Sequence, residues 1–367
     1  MLRTQTLTSF GFFLLLVASY CTAATNTTCT PLPSDVPINQ EAGRGGPLIV
    51  NLGLESGEEL PFMLDTGAPV TTIDKSLEPK LGKRFGTTNI LSLSDKQSCG
   101  IYAAPKLYLN GTPLLIASNI ITRNSSRPNF RIMGILGMDC LGHYCLQLDF
   151  EAGKLRFLDP ERTDSPDLGQ PFPIAFWAGY PIIHRPGFVG ARTNVMIDVG
   201  CNIDGLIPAR DIKAFAVLAS ERQWSGQTYT NLLVAAVDHV NVLGLRFLAR
   251  HLVTLNFPKR VMFLKPVRPG PLPEDRSLTS SRLGDLQSPV QYLECLRNRN
   301  QLPGCFPYEP CDIYFEARSP ASSKPLRSLT LEFRRTGDST RFYCKLQRKS
   351  ETTPWTLKKC WETEPRP

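Results

Sequence analysis

The chain contains an internal repeat, and this feature limits the possible folds more than any other. Residues 135–158 (ILGMDCLGHYCLQLDFEAGKLRFL) align with residues 242–264 (VLGLRFLARHLVTLNFPKRVMFL), with one gap near the end. The matched positions are Leu136/Leu243, Gly137/Gly244, Leu141/Leu248, Leu148/Leu255 and Phe150/Phe257. Self-similarity of this kind indicates a structural unit that is used more than once. The sequence therefore predicts two lobes of one design.

A second pair of similar segments lies upstream of these copies. LPFMLDTGAPVTTID (residues 60–74) and NVMIDVGCNIDGLIP (residues 194–208) each contain an apolar strand, an aspartate, a small or β-branched residue, a glycine and more apolar chain. Asp65 in the first corresponds to Asp198 in the second. A carboxylate between buried strands is costly to bury alone, so each must be paired, hydrogen-bonded or functional. The alternative is that each acid only caps nearby backbone N–H groups.

The distribution of apolar and turn residues predicts an all-β protein. Short apolar runs separated by turn signals such as LNGT and EAGK indicate that each lobe consists mostly of strands, with one brief helix after each Leu-Gly pair. The first lobe alone is expected to hold an extra hairpin, within residues 90–111. His143 and His251 are interpreted as surface residues of the two short helices.

Changes in composition divide the chain into segments. The Pro-rich stretch after Lys265 is typical of an extended, exposed spacer. The basic segment beyond it contains SLTLEFRR and TRFYCKLQR, which favour a small hairpin-based module stapled by disulfides. The predicted segments are a signal peptide 1–23, an N-terminal segment or propeptide 24–45, a first lobe 46–160, a second, shortened lobe 161–268, a linker 269–290 and a Cys-containing C-terminal module 291–367.

The N-terminal sequence predicts export. Arg3 precedes the apolar run at residues 10–18, and small residues follow up to Ala23, as in a cleaved secretory signal peptide. Removal of Cys21 with this leader leaves ten of the eleven cysteines. An even number is consistent with disulfides in an oxidising compartment, although the sequence leaves their connectivity open. Sequons predict N-glycosylation, in a eukaryotic secretory route, at Asn26, Asn110 and Asn124.

Charge and composition argue against several classes of function. The net charge is +8, but basic and acidic residues alternate, which is typical of a solvated surface and not of a nucleic-acid stripe. The four histidines and the cysteines lack the spacing of metal ligands, so neither a metal nor another cofactor is expected. After the leader no apolar run approaches the roughly 20 residues that a membrane-spanning helix requires. We expect a monomer without stable membrane insertion.

Two matching carboxylates suggest hydrolytic chemistry. If Asp65 and Asp198 meet across a pseudo-two-fold axis, they cannot both ionise comfortably and will share one proton. The ionised acid can then take a proton from a water, while the protonated acid polarises a peptide carbonyl. Gly67 and Gly200 would permit tight turns that aim N–H groups at the carboxylates. Thr66 offers a hydroxyl that can bond across the lobe interface.

These motifs identify a family resemblance. DTGA after an apolar strand, followed by GILGMD and the strand LQLDFEAGKLRFL, resembles the retropepsin-like aspartic peptidases, across residues 46–266. The resemblance implies a bilobed, barrel-like acid-protease fold in a single chain. It also implies that Asp65 and Asp198 are catalytic, that Thr66, Gly67, Val199 and Gly200 support them, and that a flap from the first lobe covers a polypeptide substrate in the interlobe cleft.

The second motif departs from the family pattern. Val199 has nearly the shape of threonine but no hydroxyl, and Cys201 stands where alanine or serine is usual. Two functions therefore remain open: a secreted aspartic endopeptidase, or a catalytically inactive secreted binding protein that retains the scaffold. A homodimer that pairs Asp65 of two chains is disfavoured, because the covalent second lobe occupies that surface.

Overall fold

The protein is described by a computed structural model. The structure describes residues 31–91, 96–117, 119–124, 132–163, 166–185, 194–208, 216–237, 241–277, 308–315, 327–335, 341–350 and 353–363. Among the sequence predictions, the signal peptide 1–23, the sequon at Asn26 and Cys29, Cys295 and Cys305 lie outside these residues.

Strands and one short helix account for most of the first half. The strands are β1 (Val36–Pro37), β2 (Ile49–Leu54), β3 (Glu59–Leu64), β4 (Thr72–Asp74), β5 (Arg84–Leu91), β6 (Lys96–Tyr102), β7 (Leu107–Leu109), β8 (Thr112–Pro113), β9 (Ile120–Arg123), β10 (Gly134–Leu136), β11 (Cys145–Asp149) and β12 (Lys154–Leu158). Helix α1 (Met138–Leu141) follows β10, and short 3-10 helices occupy Lys75–Lys80, Pro160–Arg162 and Pro166–Leu168.

The second half is built in the same way. Its strands are β13 (Gln170–Trp177), β14 (Tyr180–His184), β15 (Asn194–Asp198), β16 (Gly205–Pro208), β17 (Ala216–Trp224), β18 (Gln227–Val237), β19 (Val242–Gly244), β20 (His251–Asn256) and β21 (Val261–Pro266), with helix α2 (Leu245–Leu248) after β19. The C-terminal part adds β22 (Tyr308–Phe315), β23 (Ser328–Arg335), β24 (Arg341–Gln347) and β25 (Thr356–Thr363).

Both copies of the sequence repeat fold into strand, helix and hairpin. Strands β11 and β20 pair antiparallel at the centre of six strands in the order β1-β12-β11-β20-β21-β13. The order is symmetric about that central pair, because each half contributes a hairpin and one outer strand. Leu148 and Leu255, matched in the repeat, are both buried in this sheet. The alternation of apolar residues along these strands therefore builds the core between the two halves.

Each half also places a strand beside the aspartate motif. Strand β3 runs parallel to β10, so that Leu64 is opposite Leu136, and β10 pairs antiparallel with β4. Strand β15 runs parallel to β19 in the same manner, with Asp198 opposite Gly244, and β19 pairs antiparallel with β16. The aspartate of each half thus stands at the carboxyl end of a short central strand.

The predicted all-β class is confirmed, because strands predominate over helices, but the sheets are open and no barrel closes within the described parts of the chain. Two sequence-based expectations are wrong. A hairpin is not confined to the first half, where β5–β6 overlap the expected range of 90–111, because β17–β18 form a longer one in the second half around a Ser225-Gly226 turn of positive φ. His251 is not on the surface: it is 2% exposed beneath Tyr229 and Phe247.

Residues that flank the two halves also pack closely. Strand β1 pairs with β12, and Ala42 is fully buried. The first residues of the Pro-rich segment run beside this N-terminal stretch, where Arg44 donates from Nε to the Pro273 carbonyl at 2.8 Å and Leu272 is buried. Strand β22 pairs with β17, so the C-terminal strands extend the sheet of the second half. None of the helices in the described ranges is long and apolar enough to cross a membrane.

Candidate active site

The first aspartate stands in a tight turn after β3. The Asp65 N–H donates to the Leu136 carbonyl at 3.1 Å, which fixes the end of the strand against β10. The chain then reverses, since the Ala68 N–H donates back to the Asp65 carbonyl at 3.2 Å. Within this turn the Gly67 N–H donates to Asp65 Oδ1 at 2.8 Å. The carboxylate is therefore held by its own loop, as a capping role alone would also require.

The second aspartate repeats this geometry. The Gly200 N–H donates to Asp198 Oδ1 at 2.8 Å, and the Cys201 N–H donates to the Asp198 carbonyl at 3.2 Å. The carbonyl of Cys201 then accepts from the first N–H of α2, as the carbonyl of Ala68 does from that of α1. Cysteine in place of a smaller residue thus leaves the turn intact.

Thr66 joins the two loops. Its hydroxyl, fully buried, donates to the Ile197 carbonyl at 2.7 Å and accepts from the Val199 N–H at 3.0 Å. Both partners belong to the second half, where they flank Asp198. Val199 is also buried but has no hydroxyl, so the side-chain bridge is formed from one side. The missing hydroxyl anticipated from the DVG motif is therefore a real asymmetry of the site.

The two carboxylates face each other across the glycines. A Cβ atom added to Gly67 would lie 2.6 Å from Asp198 Cγ, and one added to Gly200 would overlap the carboxylate of Asp65. Only glycine allows this approach. The side chains of Asp65 and Asp198 are therefore neighbours. Burial, then the charge of Asp65 and hydrogen bonding to it, raise the pKa of Asp198 well above its ordinary value.

The positions of the two acids bear on the alternative that each acid only caps backbone groups. A capping carboxylate needs only the N–H donors of its own loop, and both aspartates have one. The approach of each carboxylate to the glycine of the other loop goes further, because two acids placed this closely favour a state in which one of them carries a proton. The pair is thus able to hold one proton and to present one ionised and one neutral acid to a third molecule.

Tyr180 is a residue of this site that the sequence analysis missed. It follows the β13–β14 turn, where a Cβ on Gly179 would lie 3.2 Å from Pro69 of the first loop. Burial, followed by the negative charges of Asp65 and Asp198, raises the pKa of Tyr180. Beside it Trp177 is 69% exposed, with its ring centroid 6.4 Å from that of Tyr180. The Ala-Gly pair between two aromatic residues was the signal for this turn.

Each aspartate loop is accompanied by a bonded pair of side chains, and the residue types of this pair differ between the two halves. In the first half the Thr71 hydroxyl donates to Asp139 Oδ1 at 2.7 Å. The repeat places Asp204 and Arg246 at the corresponding positions, and these form a buried ion pair. Arg250 adds a second bond to Asp204, at 2.8 Å. The same position thus carries a hydroxyl–carboxylate pair in one half and an ionic cluster in the other.

The remaining predicted residues lie away from this site. Asn110 and Asn124 are exposed, as glycan acceptors must be. Within the residues that the structure describes, no group of three or more His, Cys, Asp or Glu side chains is arranged to hold a metal ion. Searches against models of known protein families and against curated proteins find no match to the chain.

Proposed function

We propose that the protein is an aspartic endopeptidase of the retropepsin-like type, with Asp65 and Asp198 as its catalytic pair. The observation that carries this proposal is the close approach of two acids from separate halves of the chain, each against the glycine of the other acid's loop. The glycine N–H bonds of both loops and the Thr66 bridge support it, because they hold the acids rigidly in place. In this proposal the two halves are the lobes of a bilobed acid-protease fold.

The roles of the two acids follow from their surroundings. Asp198 holds the shared proton, because burial and its neighbour favour the neutral form. Asp65 is then the base that takes a proton from a water bound between the acids. That water attacks the peptide carbonyl, whose oxygen Asp198 polarises, and a proton finally passes to the leaving nitrogen. Thr66 positions the loops, and Tyr180 borders the pair without a catalytic role.

The proposed enzyme is secreted and acts on a polypeptide. The apolar N-terminal run, the sequons and the cysteines support a secreted protein. The substrate is an extended polypeptide between the two halves, and no cofactor is needed because water is the nucleophile. The β5–β6 hairpin of the first half is the proposed flap.

The test is a digestion assay with single-residue variants. Purified protein is incubated with an unfolded protein substrate between pH 2 and pH 7. Asp65→Asn and Asp198→Asn are each expected to lower kcat/KM by roughly 10²- to 10⁴-fold, since each removes an acid or base from the reaction. Glu59→Gln is the matched control, because it neutralises an exposed carboxylate on the same strand, β3. Full activity of either aspartate variant contradicts the proposal.

One observation favours a second candidate, a catalytically inactive secreted binding protein. The bridge between the loops is formed by Thr66 alone, and Val199 offers no hydroxyl in return. A peptide that carries a statine group, which mimics the hydrated carbonyl, separates the two functions. The peptidase binds it tightly and loses affinity in Asp198→Asn, whereas the inactive protein shows neither binding nor turnover at any pH.

A further inference from the structure

Two cysteines of the C-terminal strands face each other directly. Cys344 on β24 and Cys360 on β25 are opposite partners in the antiparallel ladder. Their sulfur atoms lie 3.1 Å apart. A disulfide has a sulfur–sulfur bond of about 2.05 Å, so the two atoms need to approach by only roughly 1 Å. Residues directly opposite on neighbouring strands already have nearly the Cβ separation that a disulfide requires.

We propose that Cys344 and Cys360 are a redox modification site and form a cross-strand disulfide. The bond would join β24 to β25, the outermost strand of the described sheet. This assignment goes beyond the proposed peptidase chemistry, because the pair lies on strands that contribute no residue to the aspartate site.

The surroundings of the two thiols set the order of the reaction. Cys344 is buried and Cys360 is partly exposed. The hydrogen bond from Cys344 lowers the pKa of Cys360, and the thiolate is the reactive form of cysteine. Cys360 is therefore the residue that attacks first. By contrast, burial raises the pKa of Cys145 to about 12, as expected of a thiol that serves only for packing.

The oxidant in this proposal is a small disulfide such as glutathione disulfide. The Cys360 thiolate attacks one of its sulfurs, which forms a mixed disulfide and releases one glutathione thiolate. The Cys344 thiol then loses its proton and attacks the Cys360 sulfur, and the second glutathione leaves as a thiol. The two cysteines are oxidised by two electrons, and one glutathione disulfide is reduced to two thiols.

Peptide mapping of the full-length protein tests the assignment. Free thiols of the purified protein are alkylated in denaturant, before trypsin is added without reductant. Cleavage after Arg341, Lys345 and Lys359 places the two cysteines on separate peptides, FYCK and CWETEPRP. We expect one linked species, lighter than the two peptides together by two hydrogen atoms, that reduction separates. Recovery of both peptides in alkylated form, or linkage of either to another cysteine, overturns the proposal.

Two variants complete the test. Cys360→Ser changes a partly exposed side chain, and it should abolish the linked species while Cys344 becomes available to alkylation in the unfolded protein. In the wild type, oxidation should slow amide hydrogen exchange of β25 by up to roughly a hundredfold, because a bond that closes a loop of this length limits strand opening to about that extent. Cys201→Ser, at a thiol of the aspartate loop, should leave both results unchanged. Equal exchange in the oxidised and reduced proteins counts against the bond.

Discussion

At the scale of single residues, the one-sided bridge between the aspartate loops can be completed. Val199→Thr would place a hydroxyl where the symmetry of the two loops directs it to the Leu64 carbonyl and the Thr66 N–H. Because valine and threonine have similar shapes, we expect a gain of about 1 kcal/mol in the free energy of unfolding, from one net hydrogen bond. Urea denaturation measures it.

The opposite change provides the control for that experiment. Thr66→Val removes a buried hydroxyl that satisfies two backbone groups, and it should cost about 1–3 kcal/mol, since both groups would remain buried without their partner. If Val199→Thr destabilises the protein as much as Thr66→Val does, the two loops are not symmetric in the way proposed.

The proton shared by the aspartates gives a pH dependence of stability. The pKa of Asp198 in the folded state is raised above the ordinary 3.8. Between pH 3.8 and that raised pKa, the folded state therefore binds more protons than the unfolded state. Stability from this residue is therefore lost as the pH rises through that window, by at most about 1.4 kcal/mol per pH unit. Asp198→Asn cannot ionise and should be more stable than the wild type at pH 7, whereas the two converge near pH 4. Parallel stability curves would contradict the assignment.

At the scale of elements, the β13–β14 turn packs against the first aspartate loop. Gly179 has φ of +86° and its missing Cβ would meet Pro69. Gly179→Ala should cost about 1–2 kcal/mol, from backbone strain and from displacement of this hairpin. Gly57→Ala is the matched control, because Gly57 has φ of +82° with open space around it. Thermal unfolding should show a larger loss for Gly179→Ala, and equal losses would mean that the contact with Pro69 is unimportant.

The repeat made part of this arrangement predictable. It located both aspartates and both glycines, because matched strands must end at matched turns. It could also have indicated Asp204 and Arg246, which occupy the positions of Thr71 and Asp139. The contact of Tyr180 could not be predicted, since it depends on how a hairpin of one half reaches a loop of the other. The burial of His251 could not be predicted either, because the helix pattern around it is too short to define a face.

At the scale of the whole molecule, a buried ionic cluster ties the second half to the segment after it. Arg246 bonds Asp204 and also Asp275, at 2.8 Å from its Nη2, and Arg250 donates to the Pro269 carbonyl at 2.7 Å. The same segment contacts Arg44 near the N-terminal strand. The composition predicts an extended, exposed spacer here. It could not predict these contacts, because proline content says nothing about the partners that neighbouring residues offer. These contacts make the beginning of the segment part of the packed structure.

The ionic cluster should be the most sensitive site in the second half. Asp204→Asn leaves two buried guanidinium groups facing a neutral amide, so we expect a loss of about 3–5 kcal/mol in the free energy of unfolding. Asp139→Asn is the matched control in the first half, because an amide oxygen can still accept from the Thr71 hydroxyl, and it should cost at most about 1 kcal/mol. Guanidinium denaturation compares the two variants at constant m-value. Similar losses would show that Asp204 supports its loop through hydrogen bonding alone, and that its charge contributes little to the stability of the second half.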